Sequence, residues 1–213
     1  MNDRVPAPGG LALVQALVNT LDIEGDVDAL DTVEGRAPFG LAAADVAGAR
    51  ELRESLRAVC LAHAGHPPHR EVTPLGRLLA RAPLVVTVDT EGGAAALAPA
   101  PVSGEAAASA LASGGAAGSV PASGEAAGSA PVSGEAAGSA LVFGEAGGLA
   151  SLTARVAVAI AEGLVAGTWL RLKACEAPTC LWAYYDRSPA GRGRWCSMSV
   201  CGARAKMRRY RAK

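Results

Sequence analysis

Apolar residues recur three and four apart in three longer stretches of the 213-residue chain, and each stretch predicts a helix. Leu11, Val14, Leu17, Val18 and Leu21 share one face over residues 11–21. From about Ala44 to His63, an apolar side is made by Leu52, Leu56, Val59, Cys60 and His63. Arg50, Glu51, Arg53, Glu54 and Arg57 cover the opposite side, with Arg50 and Glu54 placed to pair weakly. Cys60 reads as a small buried hydrophobe. Leu149, Leu152, Val156, Ile160 and Leu164 step along a third helix that Gly167 ends. A short helix carries Leu75, Leu78 and Leu79, with Thr73 as its N-cap, Pro74 at its first position and Pro83 as its stop.

Strand signals are fewer. Leu84 to Val88 is β-branched, Glu91-Gly92-Gly93 reads as a turn, and Ala94 to Ala98 as a weak return strand. Trp169 to Lys173 alternates like a strand. The acid-rich stretch Asp22 to Glu34 invites a calcium-loop reading, but Gly25 comes too early and no glutamate closes a twelve-residue loop, so a solvated connector is expected. His63, His66 and His69 are evenly spaced, yet Pro67-Pro68 breaks any helix that would align them, and a turn is expected rather than a metal site.

From Pro101 the pattern collapses into five copies of a ten-residue unit rich in Gly, Ala and Ser. Such a unit offers almost no side-chain volume to bury, so its ordering entropy would not be offset. A disordered insertion over 101–148 is expected. The organisation that follows is a helical domain from 1–100 and 149–168, the insertion, and a small module from 169–213. The expected fold class is α+β: a mostly helical N-terminal domain with a small β element, then a module whose cysteine pairs, Cys175/Cys180 and Cys196/Cys201, suit a zinc-stapled finger, ending in a basic helix.

Charge sharpens the division. The formal net charge is zero, but residues 169–213 hold 11 Lys/Arg against 2 Asp/Glu, while residues 1–168 hold 9 against 18. A basic end beside an acidic body suggests that the basic end meets a polyanion, unless it merely neutralises its own body. Residues 1–10 show no secretory pattern, and Arg155 and Glu162 interrupt the most apolar stretch, so neither export nor a membrane span is expected and the cytoplasm is the expected compartment.

Four of the five cysteines fall in two matched pairs, Cys175/Cys180 and Cys196/Cys201, each with four residues between and fifteen separating the pairs. In a reducing compartment paired cysteines read as metal ligands before disulfides. Four thiolates close a tetrahedral shell and leave no position for water, so one structural Zn2+ is expected. A metal also supplies what so small a segment lacks in apolar core. A redox disulfide pair and inert thiols are the alternatives.

The runs RLKACEAPTC, WAYYDRS and RWCSMSVCGARAKMRRYRAK resemble the CGNR-type zinc finger, the C-terminal part of bacterial proteins that carry an ABATE domain and are regarded as stress-induced transcriptional regulators. The cysteine spacing, Asp186-Arg187-Ser188, Arg194 to Met198 and the basic terminus agree together over residues 170–213. Upstream, Leu17 to Asp22 and Ala49 to Arg57 resemble two helices of the same proteins. The resemblance implies a DNA-binding regulator with an ABATE-like N-terminal domain. Two positions depart from it: Ala203 stands where the name-giving asparagine is expected, and Ala190 where an asparagine is common. An alanine cannot make the backbone or base contact that an amide makes.

The basic residues make their own case. After Gly202 the chain holds no proline or glycine, so a helix can run to the end with Arg204, Arg208 and Arg211 on one face and Lys206, Arg209 and Lys213 alongside. Met207 and Tyr210 are expected to pack that helix onto the zinc core. Arg192 and Arg194 add a second basic loop. Trp182, Tyr184, Tyr185 and Trp195 suit base stacking, though at least two are expected in the core. Guanidinium rows suit phosphates and guanine edges. Duplex DNA is the expected partner, with RNA and a solvated surface that binds nothing as alternatives.

The function expected is therefore a zinc-dependent, DNA-binding transcriptional regulator whose N-terminal domain senses a small-molecule or protein signal or forms a homodimer. The alternative is a zinc-stapled adaptor whose basic tail docks on an acidic partner. An enzyme is not expected, since the chain shows no nucleophile–base signature, P-loop or dinucleotide glycine pattern.

Overall fold

The apolar stripes and the turn residues between them generate six helices and three two-stranded antiparallel sheets among the described residues, which in this computed structural model are 5–89, 95–99 and 147–212. In chain order these are α1 (Leu11–Val18), β1 (Leu21–Asp22), β2 (Val27–Asp28), α2 (Val33–Arg36), α3 (Val46–His63), α4 (Leu75–Leu79), β3 (Leu84–Val88), β4 (Ala95–Pro99), α5 (Leu149–Val165), β5 (Leu172–Ala174), β6 (Ala183–Tyr185) and α6 (Ala203–Arg211). Each sheet is one hairpin, β1 with β2, β3 with β4 and β5 with β6. The described residues belong to one compact unit. The repeats up to residue 146, and the disorder expected of them, lie outside the described residues. Gly148, by contrast, placed at the end of that insertion, is the N-cap of α5 and bonds through its N–H to Gly40 O at 2.7 Å.

One core is built from the predicted stripes. Leu11, Val14, Leu17 and Val18 of α1, Leu52, Leu56 and Cys60 of α3, and Leu152, Val156 and Ile160 of α5 are all buried in it. Full burial of each such aliphatic side chain is worth about 1.5–3 kcal/mol. Leu172 and Ala174 of β5, Leu181 and Ala183 of β6 join the same cluster, so the strands that deliver the first cysteines rest on the helices. α3 lies at the centre, against α1, α4, α5 and β5.

That central position overturns one expectation. The polar side of α3 is not solvated: Arg53, Glu54 and Arg57 are at most 3% exposed. Packed on several sides, α3 leaves these three side chains no water, and their charges are compensated within the fold instead, while Glu51 stays exposed. Arg53 donates to Glu54 (2.7 Å), Asp28 (2.8 Å) and the Thr20 hydroxyl (3.1 Å). Arg57 donates to the Val18 carbonyl at 2.7 Å and lies 3.4 Å from Glu54. Arg50 pairs with Asp28 and Asp31 rather than with Glu54.

The acid-rich stretch is likewise more than a connector. α1 stops at Val18, so Leu21 enters β1, opposite Asp28, instead of a last helical turn. Asp28 caps a 3-10 turn through Leu30 N (3.0 Å), and the Thr32 hydroxyl caps α2 through Gly35 N (3.0 Å). Pro74, not Thr73, is the N-cap of α4, because the Thr73 hydroxyl donates to Glu51. Gly167, at φ +66°, closes α5 with Thr168 N bonded to Gly163 O and Gly167 N to Leu164 O, the six-to-one and five-to-two pattern of a Schellman motif. Trp169–Arg171 forms a 3-10 turn, and the strand begins only at Leu172. Among the described residues no helix is long and apolar enough to cross a membrane.

Candidate metal centre

Each cysteine reaches the site through a backbone device. β5 leads directly into Cys175, whose N–H bonds to Trp182 O at 2.9 Å and closes a knuckle. Inside it, Cys180 N and Leu181 N both donate to Ala177 O, and Leu181 takes φ +50°, a left-handed turn that sends the chain back along β6. The second pair is anchored to the first where Glu176 N donates to Arg194 O at 3.0 Å. A π turn over Met198–Gly202, closed by Gly202 N to Ser197 O, then carries Cys201.

The four sulfurs converge. All lie within 4.8 Å of one another, with Cys180 to Cys196 at 3.5 Å and Cys196 to Cys201 at 3.6 Å. Zinc–sulfur bonds of about 2.3 Å in a tetrahedron place sulfurs about 3.8 Å apart, so the donor set fits one zinc ion. The electrostatics agree. Hydrogen bonds from the Cys180 and Cys196 thiols hold Cys175 down at about 4, while the same crowding pushes Cys196 upward. Four thiols this close cannot all ionise unless a cation sits among them. Cys175, Cys180 and Cys201 are buried, with Ala177, Trp182 and Trp195 packed around them, and the fourth cysteine is half-buried. Cys60 is apart from this site, fully buried, and its thiol is pushed up to about 12 by burial. The chemistry of such a closed four-thiolate set is structural: it ties two knuckles together.

The loop between the knuckles is held by a buried ion pair that the sequence reading did not single out. Lys173 donates to Asp186 at 2.9 Å and also to Gly191 O. Asp186 further accepts from Ser188 N (3.0 Å), the Ser188 hydroxyl (2.7 Å) and Gly193 N (2.7 Å). Burial alone would raise its carboxyl, but these donors outweigh it and hold it well below the usual carboxylate range. A Cβ at Gly193 would come within 2.9 Å of that carboxyl, so glycine is required there. The signal was an alternating strand with Lys173 pointing inward, visible only once a buried partner is known.

The histidines serve three separate partners. His63 Nδ1 meets Leu172 O at 2.8 Å and its ring stands edge-on to Trp169, His69 Nε2 meets Glu54 at 3.0 Å, and His66 lies 3.7 Å from Glu176. Of the four aromatics, Tyr184 is buried, Trp182 and Trp195 pack against the sulfurs, and Tyr185 carries the Arg187 guanidinium over its ring.

The basic residues divide. Arg194 is committed to both oxygens of Glu176 and lies 5.4 Å from the Trp195 ring centre. Arg204 donates to both oxygens of Glu24 at 2.8 Å. Arg192, Lys206, Arg208, Arg209 and Arg211 are exposed and enter no ion pair within 4 Å among the described residues. Lys213 lies outside them. The expected packing of Met207 and Tyr210 on the zinc core is not found: they are 51% and 77% exposed, and α6 has no buried residue. The helix leaves the sulfur cluster at Gly202 and its later turns have no apolar surface to lie on.

No curated protein matches the chain. Residues 171–213, which hold all four converging cysteines and the whole of α6, match the family model of the CGNR zinc finger.

Proposed function

We propose that the chain is a DNA-binding transcriptional regulator in which the four-cysteine zinc site is a structural staple and α6 is the element offered to DNA. The observation that carries this reading is the cation row of α6: Lys206, Arg208, Arg209 and Arg211 stand exposed, outside any ion pair within 4 Å among the described residues, on a helix that buries nothing of its own. A row that neither packs nor pairs has its interaction surface free, and polyanion phosphates satisfy it. Arg192 would add a phosphate contact from the pinned loop. The N-terminal helical part is proposed as an ABATE-type regulatory portion, and no catalytic role is assigned to it. A cavity of about 450 Å³ between the Leu61–His69 turn and the Pro178–Leu181 knuckle is where a small-molecule signal would act on the finger. The cytoplasm is the compartment this reading requires.

The test is affinity for duplex DNA, measured against salt with the full-length, zinc-loaded chain. Affinity falling by orders of magnitude between low and physiological salt supports the reading, and absence of binding at low salt overturns it. The second reading, an adaptor whose basic tail docks on an acidic surface, is favoured by the Arg204–Glu24 pair. Nuclease-resistant capture of an acidic protein, with no binding of purified DNA, would select it.

A further inference from the structure

Two of the cations proposed to meet DNA, Arg208 and Arg211, line a groove together with Arg204 and three apolar residues. Arg204, Arg208 and Arg211, at helical intervals of four and three, line a cavity of about 490 Å³ on the face of α6, with Val200, Ala203 and Met207 beside them and Ser199 at its start. Val200 is 38% and Met207 51% exposed, so neither is part of the protein's own core. Phosphate binding asks only for cations and gives no reason for a valine and a methionine to stand uncovered beside them. A partner that presents an apolar atom flanked by hydrogen-bond acceptors does give one.

The major groove of duplex DNA has that arrangement wherever thymine neighbours guanine: a C5 methyl beside the O6 and N7 acceptors. The nine-residue α6 is about 13.5 Å long and about 10–12 Å across with its side chains, a fit to a groove about 12 Å wide. RNA offers neither the methyl nor an open major groove. Resting on the DNA-binding reading above, we infer that α6 reads thymine methyl groups through Val200, Ala203 and Met207, while Arg208 and Arg211 take adjacent guanine edges or phosphates. The surface thus selects DNA over RNA and thymine-bearing sites over others.

Duplexes would be enriched from a random pool by the full-length, zinc-loaded chain, then resynthesised with deoxyuridine at each thymine in turn. Removal of a contacted methyl is expected to weaken binding about fourfold. Met207→Ser, a change at an exposed position, is expected to remove that difference at the thymine Met207 contacts. Equal affinity for thymine and deoxyuridine duplexes, or salt-dependent binding that enriches no sequence, overturns this inference and leaves the DNA-binding reading standing. Absence of any salt-dependent DNA binding overturns both.

Discussion

The Asn19 side chain pairs with Ala183 as though it were a neighbouring strand. Its Oδ1 accepts from Ala183 N at 2.7 Å and its Nδ2 donates to Ala183 O at 2.9 Å, across 164 residues of sequence. Asn19 is the C-cap of α1, and Ala183 opens β6, the strand that follows the first knuckle. One amide therefore satisfies the outer edge of the β5–β6 hairpin and fixes it to the helical core.

Removing that amide leaves Ala183 N unpaired and leaves Ala183 O with only the 3.4 Å bond from Gln15 Nε2. Asn19→Ala is expected to lower stability by about 1–3 kcal/mol, the cost of one orphaned group. Asn19→Asp keeps the acceptor for Ala183 N but sets a carboxylate against Ala183 O, and should be at least as harmful as Asn19→Ala above about pH 6. Urea unfolding of both variants checks this, and a loss below about 0.5 kcal/mol would show that the bridge contributes nothing.

The charged centre of α3 makes stability depend on acid. Burial would raise the Glu54 carboxyl, but the His69 hydrogen bond and the Arg57 and Arg53 guanidiniums outweigh burial and hold it at about 2, against an ordinary 4.5. A carboxyl lowered in the folded chain stabilises it above the unfolded value, and that stabilisation disappears as pH falls from about 4.5 to about 2. The shift corresponds to about 3 kcal/mol. Asp28, lowered by Arg53 and the Leu30 N–H against its own burial, adds in the same direction. Unfolding followed by the helical signal should show this loss between about pH 5 and pH 2. Glu54→Gln should flatten the dependence and, by leaving the buried Arg57 guanidinium without its carboxylate, cost about 3–5 kcal/mol at neutral pH.

What the sequence showed and what it hid follow from the range of each interaction. The stripes on α1, α3 and α5 were legible because helical periodicity is local, and Gly167 because a left-handed cap needs glycine. The four cysteines were legible because metal ligands come in recognisable pairs. The burial of Arg53, Glu54 and Arg57 was not, because a polar face reads the same whether it meets water or compensating charges from other segments. Asn19 and Lys173 were hidden for the same reason: their partners, Ala183 and Asp186, belong to distant or irregular backbone. Met207 misled in the opposite sense. An apolar residue on a short helix invites packing, but no apolar surface stands opposite it.

Zinc removal should separate the two apolar clusters. Cys175, Cys180, Cys201 and Ala177, with Trp182 and Trp195 around them, form a small group distinct from the main core. So small a cluster cannot hold its knuckles without the ion, whereas the leucines and valines of α1, α3 and α5 do not depend on it. A strong chelator, or Cys201→Ser, should therefore shift tryptophan emission to the red while most of the helical signal persists. Metal analysis should give one zinc per chain for the native protein, and far less for Cys201→Ser. Retention of one tightly held zinc by that variant would show that Cys201 is not a ligand.

On the proposed DNA-binding reading, Glu24 would compete with DNA for Arg204. The pair joins the β1–β2 turn to the first turn of α6, and both side chains are about half exposed. An exposed pair of this kind is weak and screened by salt, so it holds α6 without locking it. On that reading DNA would have to displace the carboxylate before Arg204 could join the other cations of α6, and the acid would repel nearby phosphates. Glu24→Gln removes both obstacles. It is expected to raise DNA affinity about threefold at low salt, with the gain shrinking toward physiological salt. Arg204→Gln should do the reverse, weakening binding and reducing the slope of log affinity against log salt by about one contact. If the tail's task is instead to rest on its own acidic body, Glu24→Gln would leave DNA binding unchanged and free α6, which amide exchange along residues 203–211 would report as faster opening.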